Sequence, residues 1–162
     1  MIFFTADTHF GHNNIIRHCD RPFLNTHDMD KTLIQNWNSV VSRSDTVFHL
    51  GDVGIKDIRP CVWQLNGYII LIRGNHDRAK YDEIFREVCD VRQIEGNGKP
   101  IWLSHYAHRV WPRKNHGGIH LFGHSHGKLE AQGKSMDVGV DSNNYTPISM
   151  DYVLQLMEQE ES

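Results

Sequence analysis

Tyr68-Ile69-Ile70-Leu71-Ile72-Arg73-Gly74-Asn75-His76-Asp77 is an apolar run that ends in a glycine followed by three side chains able to bind metal, protons or phosphate. A run of this length bounded by turn residues reads as a buried strand. Gly74 lets the backbone turn tightly, which sets Asn75, His76 and Asp77 at the C-terminal lip of the strand, where open α/β sheets hold their ligands. Taken alone, the stretch also fits a polar turn after a core strand.

Upstream, Ile58, Val62 and Leu65 recur at helical spacing, with Pro60 tolerable in the first turn and Asn66-Gly67 closing the helix. Before them, Thr46 to Leu50 reads as a second buried strand ending in Gly51-Asp52-Val53-Gly54, so the segment is a strand, helix, strand unit with a parallel crossover. His49 reads as a packed core residue. Asp28 to Val41 carries Met29, Leu33, Trp37, Val40 and Val41 as one helical stripe, which is core. At the N-terminus, Ile2 to Ala6 is a strand that delivers Asp7-Thr8-His9, and residues two apart in extended chain point to the same side. From His12 to Phe23 a short helix is expected, stopped by Pro22; His12, Arg17, His18 and Arg21 read first as solvated side chains, with phosphate contact as the alternative.

Downstream, Tyr81 to Val88 is predicted as a short helix and Val91 to Ile94 as a strand. Gly96-Asn97-Gly98 is a hairpin turn into Pro100-Ile101-Trp102-Leu103-Ser104, which ends in His105-Tyr106. The loop from Ala107 to Gly118 is rich in His, Arg and Trp, a composition that favours function in a long loop. Ile119 to Phe122 is a further strand, closed by Gly123-His124-Ser125-His126-Gly127. Ser135 to Asp141 alternates as a strand does, Asn143 to Pro147 is loop, and a last amphipathic helix runs from Met150 to Glu158 with Ser149 as its N-cap. An acidic tail, Glu158 to Ser162, is expected to fray into solvent.

Composition narrows the chemistry. The 162 residues suit one domain over 1–162, and a net charge of -3 offers no basic footprint for extended nucleic acid. No basic n-region precedes Asp7, so neither a signal peptide nor a membrane anchor is expected and the cytoplasm is the expected compartment. Three dispersed cysteines argue against a disulfide framework or a thiolate zinc site, while twelve histidines make imidazole and carboxylate the available ligands.

Five strand ends thus carry Asp7 and His9, Asp52, Asn75 with His76, His105, and His124 with His126. In this order, Asp-x-His, Gly-Asp, Gly-Asn-His-Asp, Ser-His and Gly-His-x-His resemble the calcineurin-like metallophosphoesterases, in particular their small single-domain bacterial and bacteriophage members. The resemblance implies an α/β fold of two facing mixed β-sheets flanked by helices. It also implies a site for two divalent metal ions, manganese first with iron, zinc or nickel as alternatives: Asp7, His9 and His126 on one ion, Asn75, His105 and His124 on the other, Asp52 bridging. A hydroxide shared by the ions would attack phosphorus, with His76 as the acid for the leaving group and Asp77 orienting His76. Asp77 also reads as a helix N-cap. Arg78, Arg109 and Trp111 are the expected substrate contacts, Trp111 either offering its face to a base or serving as a packing residue. The implied activity is hydrolysis of a small phosphate mono- or diester, a nucleotide-type diester preferred, with no membrane or extended nucleic-acid partner. A non-catalytic protein-interaction scaffold on the same fold and a nuclease are the alternatives.

Overall fold

The computed structural model describes residues 1–159, so the frayed tail expected from Glu158 onward falls, over 160–162, outside the described residues. Among the described residues nine strands form two sheets. The first contains β1 (Ile2–Thr5), β2 (Thr46–His49), β3 (Tyr68–Ile72), β4 (Glu87–Cys89) and β9 (Ile148–Ser149) in the order β4-β3-β2-β1-β9. β1 to β4 are parallel, with Phe3 opposite Val47 and Val47 opposite Ile69; β9 lies antiparallel on the β1 edge. The second sheet, β5 (Val91–Gly96), β6 (Lys99–Ser104), β7 (Ile119–Phe122) and β8 (Ser135–Asp137), has one antiparallel pair, β5-β6, and is otherwise parallel.

The period of two along each strand divides the core in two. Phe4, Phe48 and Ile72 face the second sheet and meet Ile101, Leu103, Ile119 and Leu121, with Val153, Leu154 and Met157 of α4 (Met150–Gln159) in the same cluster. Phe3, Val47, Ile69 and Leu71 face the other way, onto α2 (Thr26–Val40) and α3 (Arg59–Val62). On α2 the buried stripe is Met29, Leu33 and Trp37, each worth about 1.5–3 kcal/mol of burial. Asn25 caps this helix by accepting the Asp28 N–H at 2.9 Å. The remaining helix, α1 (Asn13–His18), is a short piece before the turn at Asp20-Arg21.

Three local expectations change. Tyr81 to Val88 is not one helix: Ala79–Ile84 is 3-10, the chain then extends, and Glu87–Cys89 joins the β3 edge as β4, because Val88 and Cys89 gain a sheet partner there. The strand after Ser135 stops at Asp137, whose Oδ1 accepts the Gly139 N–H at 2.8 Å, and Val140–Ser142 turns as 3-10. Ile148–Ser149, where the sequence predicts no strand, pairs with β1 before Ser149 Oγ accepts the Tyr152 N–H as the expected cap. The hairpin is as expected, with Asn97 and Gly98 both at positive φ, the geometry of a tight primed turn. No helix among the described residues is long and apolar enough to cross a membrane.

On β7, Ile119 and Leu121 point into the core, so His120 and Phe122 point outward. There the 107–118 loop covers the second sheet: Trp111 and His108 pack on His120 with centroids 5.2 and 5.3 Å away.

Candidate metal centre

The C-terminal ends of the parallel strands meet at one lip. After β1 and β2 the two loops are laced by backbone hydrogen bonds, Asp7 N–H to Gly51 O at 2.9 Å, His9 N–H to Asp52 O at 3.0 Å and Phe10 N–H to Val53 O at 2.8 Å. The second sheet docks on the same lip, because the His124 N–H donates to Asp7 Oδ2 at 2.8 Å, while within that sheet the Gly123 N–H joins the ends of β7 and β6 through His105 O at 3.0 Å. Gly51 and Gly74 are required by close approach: a Cβ on Gly51 would lie 2.5 Å from His105 Nδ1, and one on Gly74 would collide with the Asp52 carboxylate.

Two ligand triads result. Asp7, His9 and His126 offer one set of converging atoms, and Asp52, His105 and His124 another. Asp52 Oδ2 stands 3.6 Å from both His9 Nε2 and His105 Nε2, so one carboxylate oxygen faces both sets. Asn75 Oδ1 completes the second, 3.0 Å from His105 Nε2. Two donors each about 2.1 Å from a shared ion, at 90–120°, are about 3.0–3.6 Å apart, so these spacings suit atoms that share a cation.

Buried polar atoms make the same case. Asp7 Oδ1 and His9 Nε2 are buried without a hydrogen-bond partner, a costly state that a cation would relieve. The other ring nitrogens are held by the protein. His105 Nδ1 lies 2.7 Å from Leu50 O and so carries the proton; His126 Nδ1 lies 2.7 Å from Asp141 Oδ2; His9 Nδ1 lies 3.3 Å from His12 Nδ1. For His105 and His126, whose Nδ1 faces an acceptor oxygen, this leaves Nε2 with its lone pair toward the cluster, as metal-ligating histidines have it. Burial and the charge of Arg21 hold His9 neutral, its pKa pushed down to about 2. Burial, then the Asp137 and Asp52 carboxylates, push Asp7 well above the usual carboxylate range. These residues fit a pair of divalent ions.

His76 stands at the mouth. Its side chain is 45% exposed, Nε2 lies 4.0 Å from Asp52 Oδ2, and its backbone N–H holds Asp52 Oδ1 at 2.9 Å. Asp77 does not take the role expected for it. Its carboxylate accepts three backbone N–H groups, from Gly74 and Asp52 at 2.8 Å and Val53 at 2.9 Å, so it shapes the loop that carries Asp52 and has no hydrogen bond to His76. Trp111 is corrected as well: it is buried, its Nε1–H donates to Gly118 O at 2.8 Å, and its ring packs against Lys114 Nζ and His120, so no face is open to a base. Arg78 and Arg109 are exposed on the loops that follow Asp77 and His105.

Other residues bear on the centre, Arg21 among them, which the sequence reads as a solvated side chain or a phosphate contact and which is neither. Arg21, whose guanidinium is fully buried, grips Asp141 with Nε and Nη2 at 2.8 Å and donates to Asp7 O and Thr8 O at 2.7 and 3.1 Å. Burial opposes the charge on Asp141, but the bonds from His126 and Arg21 hold it below the usual carboxylate range. Asp137 accepts the Gly127 N–H at 2.9 Å and fixes the loop carrying His126. His49 is the packed residue expected, its Nε2 2.9 Å from Thr8 Oγ1.

Comparison with known proteins agrees with this geometry. The chain is 39% identical over 170 residues to the uncharacterized protein MJ1445 of Methanocaldococcus jannaschii, covering 98% of this chain and 92% of that protein. It is 25% identical over 178 residues to the Gene 66 protein of Mycobacterium phage L5, covering 86% of each. Among solved structures it is similar to a protein of unknown function, AQ665 from Aquifex aeolicus, with a TM-score of 0.77, 28% identity and coverage of 96% of this chain and 98% of that one. The family model for the calcineurin-like phosphoesterase superfamily domain matches residues 1–138, and with the ordered ligands from Asp7 to His126 inside that span the chain belongs to the calcineurin-like phosphoesterase superfamily.

Proposed function

We propose that the protein is a metal-dependent phosphoesterase that hydrolyses a small phosphate mono- or diester, a nucleotide-type diester by preference. The observation that carries this reading is Asp52 Oδ2, equidistant at 3.6 Å from an imidazole of each ligand set. Only an anionic carboxylate can serve two cations at once, while imidazoles and an amide oxygen complete the shells without adding charge. A pair of divalent ions held there would draw the anionic phosphate and lower the pKa of an attacking water. The donor set of carboxylate, amide and imidazole suits manganese first, then iron, zinc or nickel. His76, exposed beside Asp52, is placed to protonate the departing oxygen.

The preference for a diester follows from charge. Arg21 is committed to Asp141 and to backbone carbonyls, so its guanidinium is not available to a second phosphate charge. A monoanionic diester matches the charge of roughly +1 that would be left after Asp7, Asp52 and a hydroxide offset two divalent ions. The free thiols at Cys19, Cys61 and Cys89 support a reducing, cytoplasmic setting.

The deciding assay compares p-nitrophenyl phosphate with bis-p-nitrophenyl phosphate after reconstitution with manganese, nickel, iron or zinc. Faster turnover of the diester, with H76A keeping its metal and losing turnover, is the expected result. Silence on both esters with metal bound would refute catalysis and favour the scaffold reading.

A further inference from the structure

A cavity of about 350 Å³ opens between the turn after His105 and the loop before Ser135. It is lined by Ala107, Arg109, Phe122, Leu129, Glu130 and Gln132 among others. Its place follows from chain geometry: Ala107 is two residues past His105 and Phe122 two residues before His124, and a two-residue step spans at most about 7 Å. The wall of the cavity and the second ligand set are therefore carried by the same two turns. Tyr106 joins them, its ring edge-on to His124 and His105 with centroids at 4.6 and 5.0 Å and about half its surface open.

We propose that this cavity seats the base of the nucleoside that stays on phosphorus during hydrolysis of a phosphodiester. The assignment rests on the phosphoesterase reading above and adds which ester group goes where. His76, the proton donor, lies on the opposite flank, its ring 5.6 Å from His9 and 6.3 Å from His12. In-line displacement puts the leaving oxygen near that acid and the attacking oxygen opposite it, so the retained ester group is equatorial and free to turn toward the His105 and His124 side.

The chemistry of the lining selects the occupant. The half-exposed Leu129 and the part-buried Ala107 give the apolar surface for a flat ring, with the buried Phe122 in the wall, and the volume is in the range of small-ligand pockets. Arg109, Glu130 and Gln132 have no hydrogen bond or ion pair at their head groups among the described residues, and the Ser135 hydroxyl is spent on the Gln132 backbone. An alkyl group would leave these polar heads without use, and a second phosphate would meet Glu130. A purine-sized base uses all three, with N–H groups donating to Glu130 and to the Gln132 amide oxygen and Arg109 over the ring plane. A monoester has no retained group and leaves the cavity empty.

The test holds the leaving group constant. Manganese-loaded wild type, A107W and E130A/Q132A are assayed with guanosine 5′-(p-nitrophenyl phosphate) and with methyl p-nitrophenyl phosphate, and guanosine and adenosine binding is measured by calorimetry. The expected result is a preference for the nucleoside ester, a fall in that ratio of about tenfold or more in A107W, and loss of nucleoside binding in both variants. E130A/Q132A changes only exposed side chains and covers the case in which A107W does not fold. If wild type turns over both esters with equal kcat/KM, or the variants leave the ratio and the nucleoside affinity as they were, the cavity assignment is overturned while the phosphoesterase reading stands. If wild type turns over neither ester, the phosphoesterase reading itself fails, and this assignment with it.

Discussion

Replacing Asp77 with Asn separates two roles for one carboxylate. As the structure has it, Asp77 accepts the N–H groups of Gly74, Asp52 and Val53 with both oxygens. Asn keeps one oxygen, which can still serve the Gly74 and Asp52 donors, but turns an NH2 toward the Val53 N–H. One charge-assisted bond is lost, about 1.5–3 kcal/mol, and the other two weaken as the charge disappears, so the sum is about 3 kcal/mol. With a urea m-value of about 2 kcal/mol per M, the midpoint should fall by about 1.5 M. The measurement is made in chelator, so that metal does not enter. Because Asp77 holds the loop bearing Asp52, affinity for manganese should drop by about 10–100-fold, as for other groups that orient ligands. H76A, which removes an exposed side chain, should show neither effect. If D77N unfolds at the wild-type midpoint, binds manganese as tightly and loses turnover as H76A does, the carboxylate serves His76 and the backbone account is wrong.

Asp141→Asn should cost about 3–5 kcal/mol, since the fully buried Arg21 guanidinium would lose its ion partner, and should weaken manganese binding by freeing the His126 ring; thermal unfolding with and without metal reads both. Gly74→Ala should abolish manganese binding, measured by calorimetry, because the new methyl occupies the place of the Asp52 carboxylate. His120 is buried and its pKa is pushed down to about 4 by burial, so the unfolded chain binds its proton first as pH falls from about 6.5. The stability this residue contributes is complete above pH 6.5 and lost between about 6.5 and 4, on the order of 3 kcal/mol in all. His120→Gln, which keeps an acceptor for the His108 N–H, should flatten that part of the stability curve in urea titrations run in chelator; an unchanged slope would refute the assignment.

The ligands were legible because each follows an apolar run and a strand end has only one direction in which to present side chains. Asp7 with His9 and His124 with His126 also carry a local signal in their spacing of two. What supports them was not legible, for reasons of distance. Arg21 meets Asp141 across 120 positions of chain, and nothing near either residue marks the pairing. Asp137 and Asp141 look like strand residues in an alternating stretch, and only the turn at Gly139 sends one to the Gly127 N–H and the other to His126. Asp77 reads equally as a cap or an orienting acid, since two of its three partners are backbone groups 24 and 25 positions upstream, where sequence carries no side-chain signal. Trp111 was misplaced because a polar loop gives no hint that it will fold over the outward-facing His120.

Backbone conformation explains why the ligand types are what they are. Asp7, His9, Asp52, His124 and His126 all have φ between 48° and 64°, the left-handed region that few non-glycine residues enter. Asp and His are among the residue types that tolerate it, so the same side chains that could hold a metal also accept the turn geometry. At about 1 kcal/mol or more each, five such residues amount to a large part of the 5–15 kcal/mol that keeps an ordinary domain folded. The strain is held by the lacing of the β1 and β2 loops and by the His124 N–H on Asp7, contacts that need no ion. The ligand geometry is therefore set by the polypeptide. What the polypeptide leaves unsatisfied is charge, with Asp7 buried near Asp52 and Asp137 and with one bare oxygen. A divalent cation relieves that repulsion without moving the backbone, which makes metal binding here a matter of electrostatics on a preformed frame.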